Sequence, residues 1–129
     1  MSTTAKLQAN INVTHQEMMD VIIDSIRDIK GNNILKIDLR KLHDAPTDFF
    51  VICDADSTTQ VKAIADRINL RVKNELGELP NHVEGTREAR WVCLDYFDTV
   101  IHVFHKESRE FYDLEDLWSD ADITEYETL

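Results

Sequence analysis

The feature that most constrains the fold is a long amphipathic helix set between β-rich runs. Ser57 and Gln60 form a capping box, in which two polar side chains satisfy backbone N–H groups left free at a helix start. Val61, Ile64, Ala65, Ile68, Val72 and Leu76 then keep one apolar stripe until Gly77 ends the segment. Ahead of the helix, Asp48 to Cys53 (DFFVIC) is apolar and rich in β-formers, a buried strand. Beyond it, Trp91 to Asp95 and Thr99 to His105 are alternating runs joined by a tight connection, a hairpin. A helix of that length between strands is a crossover, so the sheet is parallel there and antiparallel at the hairpin.

The remaining segments fit this frame. Thr14 and Glu17 make another capping box, followed by Met18, Ile22, Ile26 and Ile29 on one helical face and by Gly31 as terminator. Ile34 to Leu39 alternates as a strand, Ala45-Pro46 marks a turn, and Pro80 to Glu84 holds a short strand. Glu107 to Trp118 reads as one helix with Phe111, Leu114 and Leu117/Trp118 on one side. The expected fold class is α/β, a mixed-sheet α/β sandwich. Residues 1–13, polar and aperiodic, are expected to be a flexible N-terminal tail, 14–118 a single domain and 119–129 an acidic C-terminal tail.

A length of 129 residues suits one domain with a core of its own. The formal net charge is −11, from 14 basic and 25 acidic side chains. From Glu107 onward the chain carries −8, and residues 1–106 only −3. Such a balance argues against affinity built on neutralising phosphates and against adhesion to anionic membranes, and it favours a basic protein partner. No apolar run approaches the roughly 20 residues needed to span a bilayer, and the start of the chain lacks the pattern of a secretory signal. Cys53 and Cys93 are too few and too far apart for a disulfide or metal framework, which points to reduced thiols and a cytoplasmic protein.

With Tyr96-Phe97 taken as a two-residue loop, Trp91 lies opposite His102 and Asp95 opposite Asp98. One face of the hairpin then collects Trp91, Cys93, Val100, His102 and Phe104, the other Val92, Leu94, Thr99, Ile101 and Val103. The aliphatic second face suits packing against helices. For the aromatic face two readings stand: Trp91 is ordinary covered core, or the face is partly open and docks a partner. The loop lacks the Gly or Asn that two-residue hairpins favour.

Few side chains assemble chemistry. Asp54-Ala55-Asp56 reads as turn carboxylates ahead of a helix start; a metal pair for phosphoryl transfer would want a glycine-rich cradle and a nearby cation as well. His102 and His105 sit three apart in a strand and so point to opposite faces, and His15, His43 and His82 have no ligand-like spacing. In this register Cys93 is a diagonal neighbour of His102 and reads as a small apolar filler rather than a nucleophile. No catalytic residue, metal or cofactor is expected, and the chain is not read as an enzyme.

Several segments together resemble the Iojap family, the ribosomal silencing factors. They are Asp48 to Cys53, Ser57 with Gln60-Val61, Ala63-Ile64-Ala65, Val83-Glu84-Gly85, Ala89-Arg90-Trp91, Asp95, Asp98, Val100 to Phe104, Arg109, and Phe111 to Trp118. The resemblance covers about residues 14–122. It departs from the family pattern at Phe97, where many members have glycine, and at Asp54-Ala55, where many have Thr-Gly or Ser-Gly. It implies a nucleotidyltransferase-like fold without transferase activity. It also implies binding to the large ribosomal subunit through ribosomal protein uL14, which blocks small-subunit joining and represses translation when nutrients are scarce, with little direct contact to nucleic acid and none to membrane. Trp91 and Tyr112 correspond to family contact residues, and the hairpin face that carries Trp91 adds His102 and Phe104 as partner-binding candidates. A role in large-subunit assembly, a homodimer, and, in a different class, a divergent nucleotidyltransferase using Asp54 and Asp56 on a metal stay open.

Overall fold

The Thr14 hydroxyl accepts a hydrogen bond from the Glu17 N–H at 3.1 Å, capping the first helix, α1 (His15–Asp28). The structure, a computed structural model, describes residues 13–128. The expected tail 1–13 therefore lies outside the described residues except for Val13, which packs against the core. Helix α1 does not end on a left-handed glycine. Lys30 takes the positive φ (60°), and the Gly31 N–H bonds to the Ile26 carbonyl at 2.9 Å. A Cβ on Gly31 would run into the Ile26 side chain, so glycine is needed here for close approach.

The chain continues through β1 (Asn32–Asp38), β2 (Phe49–Ala55), α2 (Thr58–Leu76), β3 (His82–Glu84), β4 (Trp91–Asp95) and β5 (Thr99–His105). Then follow α3 (Lys106–Tyr112), α4 (Leu114–Leu117) and β6 (Asp122–Tyr126). The strands form one sheet in the order β3-β4-β5-β2-β1-β6. The β2–β5 pair is parallel and the other neighbours are antiparallel, the mixed α/β arrangement that a crossover and a hairpin require.

Gln60 does more than complete a cap. The Ser57 hydroxyl accepts from its N–H at 3.1 Å, while its side-chain amide donates to the carbonyls of Ile29 (2.9 Å) and Lys30 (3.1 Å). One side chain thus ties the start of α2 to the end of α1. Those two helices cover one face of the sheet, burying Ile22, Ile26, Ile64, Ile68, Val72, Val92, Leu94, Ile101 and Val103 in one cluster. On the opposite face a second cluster holds Ile37, Leu39, Phe50, Ile52 and Phe104, with Trp91, Leu114 and Trp118 packed against it. Full burial of each aliphatic or aromatic side chain contributes roughly 1.5–3 kcal/mol.

Three expectations are corrected. The hairpin pairs Trp91 with Phe104, Cys93 with His102 and Asp95 with Val100, and the Tyr96 N–H donates to the Thr99 carbonyl at 2.8 Å. Its loop is therefore Phe97-Asp98, one residue later than expected. The cause is Tyr96, whose ring is buried in the first cluster and so must continue the strand, leaving Phe97 exposed at the tip. None of these turn residues needs positive φ. The register moves by two in pairing, so the two faces keep their residues.

The helix expected over Glu107–Trp118 is two helices. Asp113 breaks it in the left-handed region (φ 45°, ψ 54°), a conformation Asp tolerates better than most residues, and its N–H closes onto the Arg109 carbonyl at 2.9 Å. Finally, the segment 119–129 expected as a tail contains β6, with Ile123 beside Ile37 and Tyr126 beside Ile34. Its carboxylates, Asp122 and Glu125, project to opposite faces and both are exposed, so their charge does not oppose pairing.

Candidate functional site

The second face of the sheet is built by strand alternation, which aims Phe50 of β2, Trp91 and Cys93 of β4 and His102 and Phe104 of β5 to one side. The backbone of Trp91 is closely approached by Gly85 (φ 85°), where a Cβ would collide with the Trp91 carbonyl. The Trp91 indole Nε1–H donates to His102 Nδ1 at 3.0 Å, and the ring edge of Phe50 lies against the imidazole at a centroid distance of 4.6 Å. With Nδ1 accepting, the proton of the neutral ring sits on Nε2, which is buried with no partner among the described residues. Burial pulls the His102 pKa down to about 4, so the ring is neutral near pH 7 and the indole bond persists. Cys93 Sγ lies 3.5 Å from the same Nδ1, because the two residues face each other directly in the register. Burial, with the charges of Glu84 and Asp95 adding to it, pushes that thiol up to about 11, so it is a protonated thiol packed in the face.

The four sequence-predicted site residues occupy different depths. Phe104 has no exposed surface and His102 is 6% exposed; both support Trp91 from below and offer a partner next to nothing. Trp91 is half-buried, stacked on Phe104 (4.8 Å, 27°) on one side and tilted against Tyr112 (4.9 Å, 44°) on the other. Tyr112 is 54% exposed and meets Phe111, 80% exposed, edge to face at 5.0 Å. Leu117 is also exposed at 72%. The aromatic face is thus covered at its centre by α3, α4 and Trp118, which approaches Phe50 at 6.2 Å, and open at its rim. Phe50, Phe111 and Trp118 belong to this ladder and were not among the sequence-predicted residues. The alternation of Phe50 with Ile52 in β2 is the signal that places Phe50 on this face.

Asp54 and Asp56 have separate surroundings. Asp54 is the penultimate residue of β2, not a turn residue as expected, and lies inside. Its carboxylate accepts from Arg109 Nη1 (3.0 Å) and from the Asn33 amide (3.1 Å). Arg109 also reaches Glu115 at 3.3 Å and the Asn33 carbonyl. Asp56 is exposed and pairs loosely with Lys106 at 3.8 Å. These groups line a polar cleft of about 760 Å³ at the carboxyl ends of β2 and β5.

A mixed six-stranded sheet with two helices on one face and a half-open aromatic face on the other defines the class as a single-sheet α/β sandwich. The family model described as "Ribosomal silencing factor during starvation" matches residues 12–129. The chain is 36% identical over 115 residues to the ribosomal silencing factor RsfS of Halalkalibacterium halodurans, covering 89% of this chain and 97% of that one. It is 35% identical over 75 residues, 57% of this chain and 33% of the relative, to the mouse (Mus musculus) protein "Mitochondrial assembly of ribosomal large subunit protein 1". A crystal structure of a protein from Chromobacterium violaceum superposes with a TM-score of 0.78 at 33% identity, over 83% of this chain and 88% of that chain. The chain belongs to the ribosomal silencing factor family. Among the described residues no helix is long and apolar enough to cross a membrane.

Proposed function

We propose that this protein docks on the large ribosomal subunit through ribosomal protein uL14, prevents the small subunit from joining, and thereby represses translation when nutrients are scarce. The observation that carries this reading is the exposed rim of the aromatic face, where Tyr112 stands against half-buried Trp91 and exposed Phe111 against Tyr112, on a segment whose Glu110, Asp113 and Asp116 are exposed carboxylates. Aromatic anchors flanked by carboxylates suit a small basic protein partner. The mechanism is steric occlusion and uses no reaction at the face. The cytoplasm is the compartment this role requires.

The large-subunit assembly role is favoured by one observation, the likeness to the mouse mitochondrial protein named for assembly of the ribosomal large subunit. It would use the same surface. The enzyme reading draws less support: the Asp54 carboxylate is already neutralised by Arg109, which removes one of the two carboxylates a metal would need. Sucrose-gradient co-sedimentation with separated subunits tests the proposal. The expected result is comigration with large subunits and not with small ones; equal association with both, or with neither, overturns it.

A further inference from the structure

The sheet ends on one side at β6, and the bonding pattern of β1 determines what that strand presents outward. The Leu39 N–H donates to the Asp48 carbonyl at 2.8 Å, toward β2. Backbone groups alternate sides along a strand, so Ile34, Lys36 and Asp38 bond toward β6, where their register partners are Tyr126, Thr124 and Asp122. The amides and carbonyls of Ile123 and Glu125 therefore point away from the sheet, and none has a backbone partner among the described residues. They form a short, regular row of donors and acceptors about 7 Å apart. The opposite edge, β3, is three residues long and offers less.

An open edge is a template for another strand. Charge decides which. Residues 110–129 hold eight carboxylate side chains and no lysine or arginine. Of these, Asp122 and Glu125 are on β6 itself; the cations nearby are Lys41, exposed and 3.6 Å from Asp122, Lys36, which lies inward on β1 opposite Thr124, and Arg27, whose Nε donates to the Glu127 carbonyl at 2.9 Å. A second copy offering the same edge would set carboxylates against carboxylates. A basic strand meets the opposite situation, and the exposed Ile123 side chain gives it an apolar contact beside Glu125 on the same face. We infer that the outer edge of β6 is a docking site for an extended lysine- or arginine-rich polypeptide segment, which adds to the sheet as a further antiparallel or parallel strand. This edge is separate from the aromatic rim and the inference does not rest on the role given to that rim.

Amide hydrogen exchange of the full chain, followed by NMR, tests it with two probes of equal charge: an alternating lysine–valine heptapeptide and its lysine–proline counterpart, which cannot form a ladder. The lysine–valine peptide is expected to slow exchange at Ile123 and Glu125 by about tenfold or more, and the lysine–proline peptide to leave both unchanged. Glu125→Pro, which removes an outward amide while sparing the ladder to β1, is expected to abolish the protection. Glu125→Lys, which keeps the backbone intact, is expected to weaken the peptide at least about fivefold. Equal protection by the proline peptide would reduce the effect to charge alone and overturn the proposal. So would protection that rises with protein concentration in the absence of peptide, which assigns the edge to a second copy, or no protection at millimolar peptide.

Discussion

Arg109 of α3 reaches Asp54 of β2 at 3.0 Å with both side chains less than a tenth exposed. That contact, with the Arg109 bond to the Asn33 carbonyl, fastens the helix carrying Tyr112 to the carboxyl end of a central strand. Removing one partner leaves the other buried and uncompensated, so Arg109→Met is expected to destabilise the domain by about 3–5 kcal/mol in urea denaturation. Pairing it with Asp54→Leu should recover most of the loss, since two apolar side chains leave no orphaned charge. Additive losses would show that the two groups are not energetically coupled.

Depth separates the aromatic residues. Phe104→Ala removes a fully buried ring and is expected to cost about 3–5 kcal/mol of stability. Tyr112→Ala, at an exposed position, should leave the unfolding transition nearly unchanged while weakening large-subunit association about thirtyfold, the 2 kcal/mol typical of an interface anchor. Trp91→Ala should lower both. Calorimetry beside quantitative co-sedimentation reads the two effects separately; a Tyr112 variant with lowered stability and intact binding contradicts the assignment.

The buried imidazole makes stability fall with acid. In the unfolded chain His102 titrates at its ordinary 6.5, and in the folded protein at about 4. Above pH 6.5 it is neutral in both states. Between pH 6.5 and 4 only the unfolded state gains the proton, so the unfolding free energy drops by about 3 kcal/mol across that window and levels off below it. His15, also lowered by burial first and by Lys36 next, adds in the same direction. The check is a urea series at pH 7 and 4.5: His102→Asn should flatten the difference relative to the parent chain.

Truncation after Asp120 deletes β6. Because β6 pairs with β1 along five register positions, the shortened chain should lose about 2 kcal/mol or more and should expose the Ile34 edge. A thermal scan that matched the full chain would mean the strand contributes nothing.

Occlusion has an order-of-addition signature. In a reconstituted system the protein should inhibit translation when added before subunits join, with the dose following free large subunits, and excess small subunit should relieve it. Equal potency against preformed elongating ribosomes contradicts the mechanism.

Periodicity was a sufficient guide wherever a side chain's face is set by its neighbours along the chain. The Ser57 cap, the stripe from Val61 to Leu76 and the two faces of the β4–β5 hairpin were all legible for that reason. What was not legible depended on contacts distant in sequence. The hairpin register turned on whether Tyr96 is buried, and that is decided by the helices packed over it. The break at Asp113 lies four residues after Arg109, whose side chain is held by Asp54, 55 residues away. The strand β6 hid behind its own carboxylates, since the charge tally does not register that Ile123 and Tyr126 find Ile37 and Ile34. The family resemblance supplied Trp91 and Tyr112, whereas the depth of His102 and Phe104 is set by residues that lie far away in sequence, such as Phe50.

The indole of Trp91 donates to an imidazole, and Trp118 stands at the far side of the same Phe50. These are the two tryptophans of the chain. Every photon emitted under selective indole excitation therefore originates on one side of the sheet, beside the rim that carries Tyr112. The molecule holds an intrinsic optical probe of that surface, with emission from its other face silent, so occupancy can be followed without attaching a dye.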